Sequence, residues 1–154
     1  MKNIFASILL MSVSTSAIAD PTLIGKWRSD QELTMRFIKD NVKLQDKISD
    51  FIGDMMGRLT LTFTHDKVHS SLQDYDVIVE GKKHRMVGFN EHAPYTILYS
   101  SNRIIVTSGR EPVTGNVVVT KYNFDSPDVM WIYTGGADSV LPNSHYREYF
   151  RRVP

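Results

Sequence analysis

The stretch Leu23-Ile24-Gly25-Lys26-Trp27-Arg28 lies near the start of the chain and contains the motif Gly25-x-Trp27. The stretch is compatible with a first β-strand, because its apolar and aromatic residues suit a pleated, half-buried surface. Most of the chain beyond it reads as short strands separated by turn residues. A chain of short strands that begins at this stretch therefore favours a small β-barrel.

Strand patterns occupy most of the remaining sequence. In Leu59-Thr60-Leu61-Thr62-Phe63-Thr64 apolar residues alternate with threonine, which is the period of a half-buried strand. Further strands are predicted over 68–72, 75–80, 83–89, 95–99, 103–107, 116–124, 129–133 and 146–152, with turn residues between them, including Ala93-Pro94. Connections this short leave no room for helical crossovers, so neighbouring strands are expected to pair antiparallel. We expect a mainly β fold, an antiparallel up-and-down barrel of about eight or nine strands, because closure removes exposed edges.

One amphipathic helix is expected directly after the first strand. Ser29 and Glu32 have the spacing of a capping box, apolar residues then recur at helical spacing, and Gly57 suits a C-terminal cap. An unbroken helix over this segment would be about 40 Å long, too long for a small domain, so a break is expected near Asp40-Asn41. The helix would cover one open end of the barrel or pack against its outside.

The first 19 residues have the features of a secretory signal peptide. Lys2 is followed by an apolar run over 4–13, and Ala17-Ile18-Ala19 is a small-x-small cleavage site. The run is about half as long as a bilayer-spanning helix requires. Removing 19 of the 154 residues leaves 135, a length typical of one domain, here 20–154. We expect a periplasmic or secreted protein after cleavage near Ala19.

Composition argues against several partners. The chain contains no cysteine, so neither disulfides nor a lipid anchor on a cysteine are expected. It has 18 Lys plus Arg and 17 Asp plus Glu, and cleavage would remove Lys2, which leaves 17 of each. A net charge near zero does not favour nucleic acid or an anionic membrane as a partner. No stable membrane anchor is expected.

Gly25-x-Trp27 in the first strand, an antiparallel remainder and an arginine in the last strand together resemble the lipocalin-like, or calycin, barrels. The overall pattern is similar to small bacterial lipocalin-like periplasmic proteins. In that family the tryptophan closes the barrel floor and the arginine packs over its ring, an arrangement that cation–π attraction explains. The candidate arginines are Arg147, Arg151 and Arg152. The resemblance implies a structural role for these residues, and the long helix after the first strand departs from the family.

Four histidines and one glycine-rich stretch are candidate chemical sites. His65 and His69 are four residues apart across a predicted turn, and His84 and His92 flank another turn. Without cysteine or an HExxH spacing, we interpret them as turn or strand-face residues rather than metal ligands. The stretch 133–139, Tyr-Thr-Gly-Gly-Ala-Asp-Ser, suits a flexible loop, and no Gly-x-Ser-x-Gly elbow occurs. We therefore assign no catalytic residue, cofactor or metal and expect a non-enzymatic protein.

Aromatic residues on the strands form the predicted ligand site. If alternate residues point inward, one barrel face gathers Phe63, Tyr95, Tyr99, Trp131 and Tyr133. Apolar walls with a few polar tips suit a small apolar or amphipathic ligand. A filled core would use the same residues, because a barrel of eight strands is near the width at which side chains fill it.

A basic run supports a second hypothesis. Lys82-Lys83-His84-Arg85, together with Arg151-Arg152, suits a protein-binding module, such as an inhibitor of a cell-envelope hydrolase, that acts through loops and a basic edge. The same run also suits a charged hairpin edge that discourages strand addition. A third alternative is a cystatin-like sheet wrapped around the helix in place of a closed barrel.

Overall fold

The computed structural model describes residues 20–42, 44, 46–79, 81–110, 115–134 and 146–154. The predicted signal peptide and residues 135–139 of the glycine-rich stretch lie outside these ranges. Within them the chain forms β1 (Gly25–Ser29), α1 (Gln31–Asn41), α2 (Asp46–Met55), β2 (Thr60–Phe63), β3 (Lys67–Leu72), β4 (Tyr75–Val79), β5 (Lys82–Met86), β6 (Phe89–Ser100), β7 (Ile104–Arg110), β8 (Val117–Ser126), β9 (Val129–Thr134) and β10 (Tyr146–Val153).

Eight of these strands form a closed antiparallel barrel, with β1, β10, β9, β8, β7, β6, β3 and β2 as successive neighbours around the ring. Closure occurs at β1, where Trp27 pairs with Arg152 on one side and with Leu61 on the other. The predicted antiparallel barrel is confirmed. The cystatin-like alternative, an open sheet wrapped around a helix, is wrong.

Strands β4 and β5 form a separate two-stranded hairpin between β3 and β6. Tyr75 and Val77 of β4 are buried, and the hairpin packs against α2. The guanidinium carbon of Arg58, just beyond α2, lies 4.5 Å from the centre of the Tyr75 ring. The strand patterns at 75–80 and 83–89 therefore correspond to real strands that stand outside the barrel.

The predicted turn at Ala93-Pro94 is wrong, because β6 runs without interruption from Phe89 to Ser100. Pro94 pairs with Lys67 of β3, while the ladder to β7 begins one residue later, with Tyr95 opposite Gly109. Proline has no backbone N–H, and a strand tolerates it where the ladder requires no donor. Pro94 occupies such a position.

The helical segment divides into α1 and α2, with the break directly after Asn41, as predicted. The predicted cap is shifted by one residue. Asp30 is the N-cap of α1 and accepts the backbone N–H of Leu33 at 2.9 Å, whereas Ser29 is the last residue of β1 and pairs with Phe150. Because Ser29 belongs to the barrel ladder, the next residue with a short acceptor side chain caps the helix.

The barrel encloses the main hydrophobic core. Its fully buried centre contains Trp27, Met130 and Phe150, and Phe63 and Phe124 pack around them. The ring of Trp27 meets that of Phe124 edge to face at 6.0 Å between centroids, a favoured aromatic geometry. Much of the interior is therefore filled by side chains.

A second core lies beneath the helices. Ile38 of α1 and Ile52 of α2 are buried together with Met56 and with Tyr146, the first residue of β10. Tyr146 lies at the opposite end of β10 from Arg152. The two helices thus cover the barrel end remote from Trp27, which was one of the two positions expected for them. Within the described ranges, no helix is both long enough and apolar enough to cross a membrane.

Candidate functional site

The floor of the barrel is closed by Trp27 and Arg152. The Trp27 side chain is 0% exposed, its indole N–H donates to the carbonyl of Leu23 at 2.7 Å, and the guanidinium carbon of Arg152 lies 4.3 Å from its ring centre. Arg152 also donates to the carbonyl oxygens of Ile24 and Thr22 at 2.7 and 2.8 Å. Of the three candidate arginines, Arg152 is therefore the one that packs over the tryptophan.

Gly25 makes room for this arrangement. Its φ of +123° is a conformation that residues with a side chain rarely adopt. A Cβ atom here would lie 2.7 Å from Nη1 of Arg152. The glycine and tryptophan of the motif are thus joined through one arginine, and the floor is a structural feature.

A cavity of about 280 Å³ lies beside the barrel core. Strands β2, β3, β6, β7 and β8 supply its walls. Apolar and aromatic lining comes from Phe63, Val68, Ala93, Tyr95, Val118 and Tyr122. This volume is just below the range for small-molecule sites, which extends from about 300 to 1,000 Å³.

Several hydroxyl groups lie on the cavity wall. Thr107 and Thr120 line it and hydrogen-bond the buried Tyr122 hydroxyl, and burial raises the pKa of Tyr122 to about 12. The Tyr95 hydroxyl donates to the carbonyl of Thr64 at 2.6 Å. Burial raises the pKa of Tyr95, and the charge of Asp66 raises it further. The cavity is therefore mainly apolar with a few fixed hydroxyl groups, and one cationic side chain, Arg110, also lines it.

Two of the five predicted ligand residues lie at this cavity. Phe63 and Tyr95 line it together, with their rings edge to face at 5.6 Å between centroids. Tyr99 lies elsewhere: it pairs with Val106, on the strand face opposite that of the buried Ile105, and is 56% exposed. The ladder to β7 shifts between Ile97 and Tyr99, so the alternation that places Tyr95 inward does not continue to Tyr99.

Trp131 and Tyr133 lie on the outer face of β9, because the neighbouring Met130 and Ile132 pack into the core. Their rings meet edge to face at 5.1 Å between centroids, and the Arg147 guanidinium carbon lies 3.9 Å from the Trp131 ring centre. The prediction that both aromatic side chains point into the barrel is wrong, because the inward face of β9 carries the alternate residues, Met130 and Ile132. They form an outer cluster with Arg147 instead.

Glu148 is a buried acid that was not among the residues predicted to form a site. It is only 8% exposed, and its Oε1 accepts the hydroxyl of Ser29 at 2.7 Å. Burial raises the pKa of Glu148 to about 7, and the hydrogen bond from Ser29 partly opposes this shift. The available signal was the alternation along β10, where Glu148 occurs two residues before the apolar Phe150 and so shares its inward face.

Two of the four candidate histidines, His69 and His92, lie side by side. The rings of His69 and His92 stack at 4.2 Å between centroids, where β3 pairs with β6, and His69 contacts the side chain of Asn90. Across the described part of the chain, no group of three or more histidine or acidic side chains is arranged to hold a metal ion.

Comparison with models of protein families, with curated proteins and with solved structures finds no match to this chain. The class of protein therefore follows from the fold and the site alone. It is a closed, eight-stranded antiparallel barrel with a tryptophan–arginine floor, a helical cover at the other end and a small apolar cavity.

Proposed function

We propose that this protein is an exported, non-enzymatic, lipocalin-like barrel that holds a small apolar or amphipathic ligand. The observation that carries the proposal is the cavity of about 280 Å³ between Phe63, Tyr95 and Tyr122. The floor formed by Gly25, Trp27 and Arg152 supports the lipocalin-like assignment. The signal-like sequence over 1–19 supports export to the periplasm or the medium.

Binding in this cavity would be driven by burial of apolar ligand surface. Phe63, Tyr95 and Val118 supply the apolar contact area. The hydroxyls of Thr107 and Thr120 lie on the same wall and supply hydrogen-bonding groups that orient a polar end. The small volume favours a short chain or a single ring over a long lipid.

Thermal unfolding with decanoic acid and 1-decanol as probes tests this proposal. A ligand present at about a hundredfold excess over its Kd stabilises the folded state by about 2.7 kcal/mol, which raises Tm by roughly 5–10 °C in a domain of this size. We expect such a rise with at least one probe. No rise with either probe, at concentrations up to their solubility, would contradict the proposal.

Adjacent valines on β8 provide matched variants. Val118 lines the cavity and pairs with Gly109, whereas Val119 pairs with Ser108 on the opposite face of the strand. Val118→Trp should fill the cavity and abolish ligand-dependent stabilisation, and Val119→Trp should preserve it. Equal behaviour of the two variants would place the ligand outside the barrel.

The hairpin β4–β5 favours a second candidate, the protein-binding module. It stands apart from the barrel sheet, exposes Ile78 at 68% and carries the basic run Lys82-Lys83-His84-Arg85 on β5. Part of this charge is neutralised within the hairpin, since Lys83 pairs with Asp76 at 2.9 Å. The double variant Lys82→Glu, Lys83→Glu, compared with the wild type in pull-downs from cell-envelope extract, tests this candidate; unchanged recovery would remove the basic edge from consideration.

A further inference from the structure

A groove of about 460 Å³ on the outer face of the barrel, formed mainly by β1, β2 and β3, is separate from the interior cavity. Three cationic side chains line it, Lys26, Arg28 and Arg58. Its remaining walls include the hydroxyls of Thr60 and Ser71. We refer to this feature as the cationic groove.

Strand register brings the donors of the cationic groove together. Arg28 of β1 pairs with Thr60 of β2, and Thr60 pairs with Ser71 of β3, so these three residues form one row across the sheet. Neighbouring strands are about 4.8 Å apart, and the row therefore spans about 10 Å. Lys26 lies two residues before Arg28, on the same face of β1.

Both arginines are held in place through their Nε atoms. Arg28 donates from Nε to the carbonyl of Gly57 at 3.3 Å, and Arg58 donates from Nε to the carbonyl of Asp54 at 2.6 Å. The guanidinium group of Arg58 also packs over Tyr75. These contacts orient the two guanidinium groups while leaving their terminal amino groups as donors for a ligand.

The charge of the cationic groove is not neutralised locally. Among the residues that the structure describes, Lys26, Arg28 and Arg58 form no ion pair with a carboxylate. The acidic lining residue, Asp74, accepts the N–H of Gly88 at 2.8 Å and pairs with Arg85 at 3.0 Å. The hydrogen bond from Gly88, followed by that from Arg85, lowers the pKa of Asp74. Three cations against one carboxylate leave two positive charges on the lining.

We propose that the cationic groove binds a phosphate monoester group. Arg28 and Arg58 donate paired hydrogen bonds to its oxygens, a geometry for which guanidinium groups are well suited, and Lys26 adds a third positive charge. The hydroxyls of Thr60 and Ser71 supply further donors. A dianion matches the excess of two positive charges, and the proposal does not depend on the barrel cavity.

Calorimetric titration with glycerol 3-phosphate at low ionic strength tests the site. We expect saturable binding of one molecule per chain. Arg28→Gln and Arg58→Gln should each weaken binding about tenfold or more, since each removes a charge-assisted pair of hydrogen bonds. Arg103→Gln is the matched control, because it removes the same charge from an exposed residue in the β6–β7 turn; its affinity should stay within about twofold of wild type.

A second arm distinguishes a soluble phosphate from a lipid head group. The protein is mixed with phosphatidylcholine vesicles, either with or without phosphatidic acid, and its binding is measured by vesicle flotation. Phosphatidic acid carries a phosphate monoester. Binding to glycerol 3-phosphate alone assigns a soluble source. If the protein floats only with vesicles that contain phosphatidic acid, and Arg28→Gln abolishes this, the phosphate monoester that the groove binds belongs to a lipid head group.

Because Arg58 also packs on the hairpin, its loss can disturb the fold. Lys26→Gln, which alters an exposed strand-face residue, is therefore the second variant, and it should also weaken binding. Absence of saturable binding in both arms overturns the proposal. An equal loss of affinity in Arg103→Gln overturns it as well, because binding would then reflect overall charge.

Discussion

The hydroxyl of Ser29 donates a hydrogen bond of 2.7 Å to the carboxylate of Glu148, joining the end of β1 to β10 inside the barrel. The same Ser29 oxygen accepts the backbone N–H of Gly57 at 2.9 Å. One small side chain thus connects the first strand, the last strand and the end of the helical segment. Since burial raises the pKa of Glu148 to about 7, this junction contains an acid that changes charge near neutral pH.

Stability should fall as the pH rises past the unfolded-state pKa of Glu148. The pKa is 4.5 for an ordinary glutamate side chain and about 7 for Glu148 in the folded protein, so between these values the folded state binds more protons than the unfolded state. The contribution of Glu148 is full below pH 4.5 and is lost by about pH 7, with a total of roughly 3 kcal/mol. Urea unfolding at intervals from pH 4 to pH 8 measures this slope.

Glu148→Gln is the control for the pH effect. The amide preserves the shape and does not ionise, so the slope between pH 4.5 and pH 7 should become flatter by the contribution of Glu148. The variant should be more stable than the wild type at pH 8. An identical pH profile for both proteins would show that Glu148 does not titrate in this range.

Replacement of Arg152 should destabilise the barrel floor. Arg152→Ala removes the contact with Trp27, the hydrogen bonds to Thr22 and Ile24 and the ion pair with Asp128 at 3.1 Å. We expect a loss of about 2–4 kcal/mol in the free energy of unfolding, measured with urea. Arg151→Ala, which removes a more exposed arginine paired with Asp30, should cost at most about 1 kcal/mol. Similar losses in the two variants would contradict the structural role of Arg152.

The requirement for glycine at position 25 can be separated into backbone strain and steric conflict. Gly25→Ala strains a residue with φ +123° and places a Cβ 2.7 Å from Arg152, whereas Gly81→Ala strains a residue with φ +75° and meets nothing within 4 Å. We expect losses of about 2–3 and about 1 kcal/mol in unfolding free energy, respectively. In the double variant Gly25→Ala, Arg152→Ala, the losses should be less than additive, because the conflict disappears with Arg152. Strict additivity would contradict the steric explanation.

The attachment of α1 to the barrel depends on Thr34. This side chain is 0% exposed, and its hydroxyl accepts the backbone N–H of Tyr149 in β10 at 3.0 Å. Thr34→Val keeps the volume and leaves that N–H without its acceptor, so the free energy of unfolding should fall by about 1–3 kcal/mol. Thr96→Val, at an exposed position of β6, is the control and should change stability by less than about 0.5 kcal/mol. Equal stability of the two variants would show that the bond contributes nothing.

Local patterns predicted the elements well where one periodicity dominated. The alternation from Leu59 to Phe63 identified β2, and the length limit on a helix located the break after Asn41. Gly25 and Trp27 predicted closure of the barrel, because they matched a local motif whose partner is an arginine in the last strand. The turn predicted at Pro94 was wrong, because a proline interrupts a strand only where the ladder requires a backbone N–H donor at that position.

The candidate site was less accessible to sequence reasoning, because it depends on which face of each strand points inward. A shift of one residue exchanges the two faces of a strand. Phe63 and Tyr95 were assigned to the interior correctly, whereas Trp131 and Tyr133 lie outside. No local pattern distinguishes these cases, since the strand β9 carries apolar residues on both faces.

The helices and strands, the floor motif and the antiparallel connections were thus predictable, because these features depend on residues close together in the chain. Which side chains share a site depends on how the strands are assembled in the folded chain. Three examples join residues that are distant in sequence. Glu148 is buried against Ser29, Phe63 packs against Tyr122, and Arg28 lies in one row with Ser71. Such contacts depend on strand register and barrel closure, which are global properties of the fold.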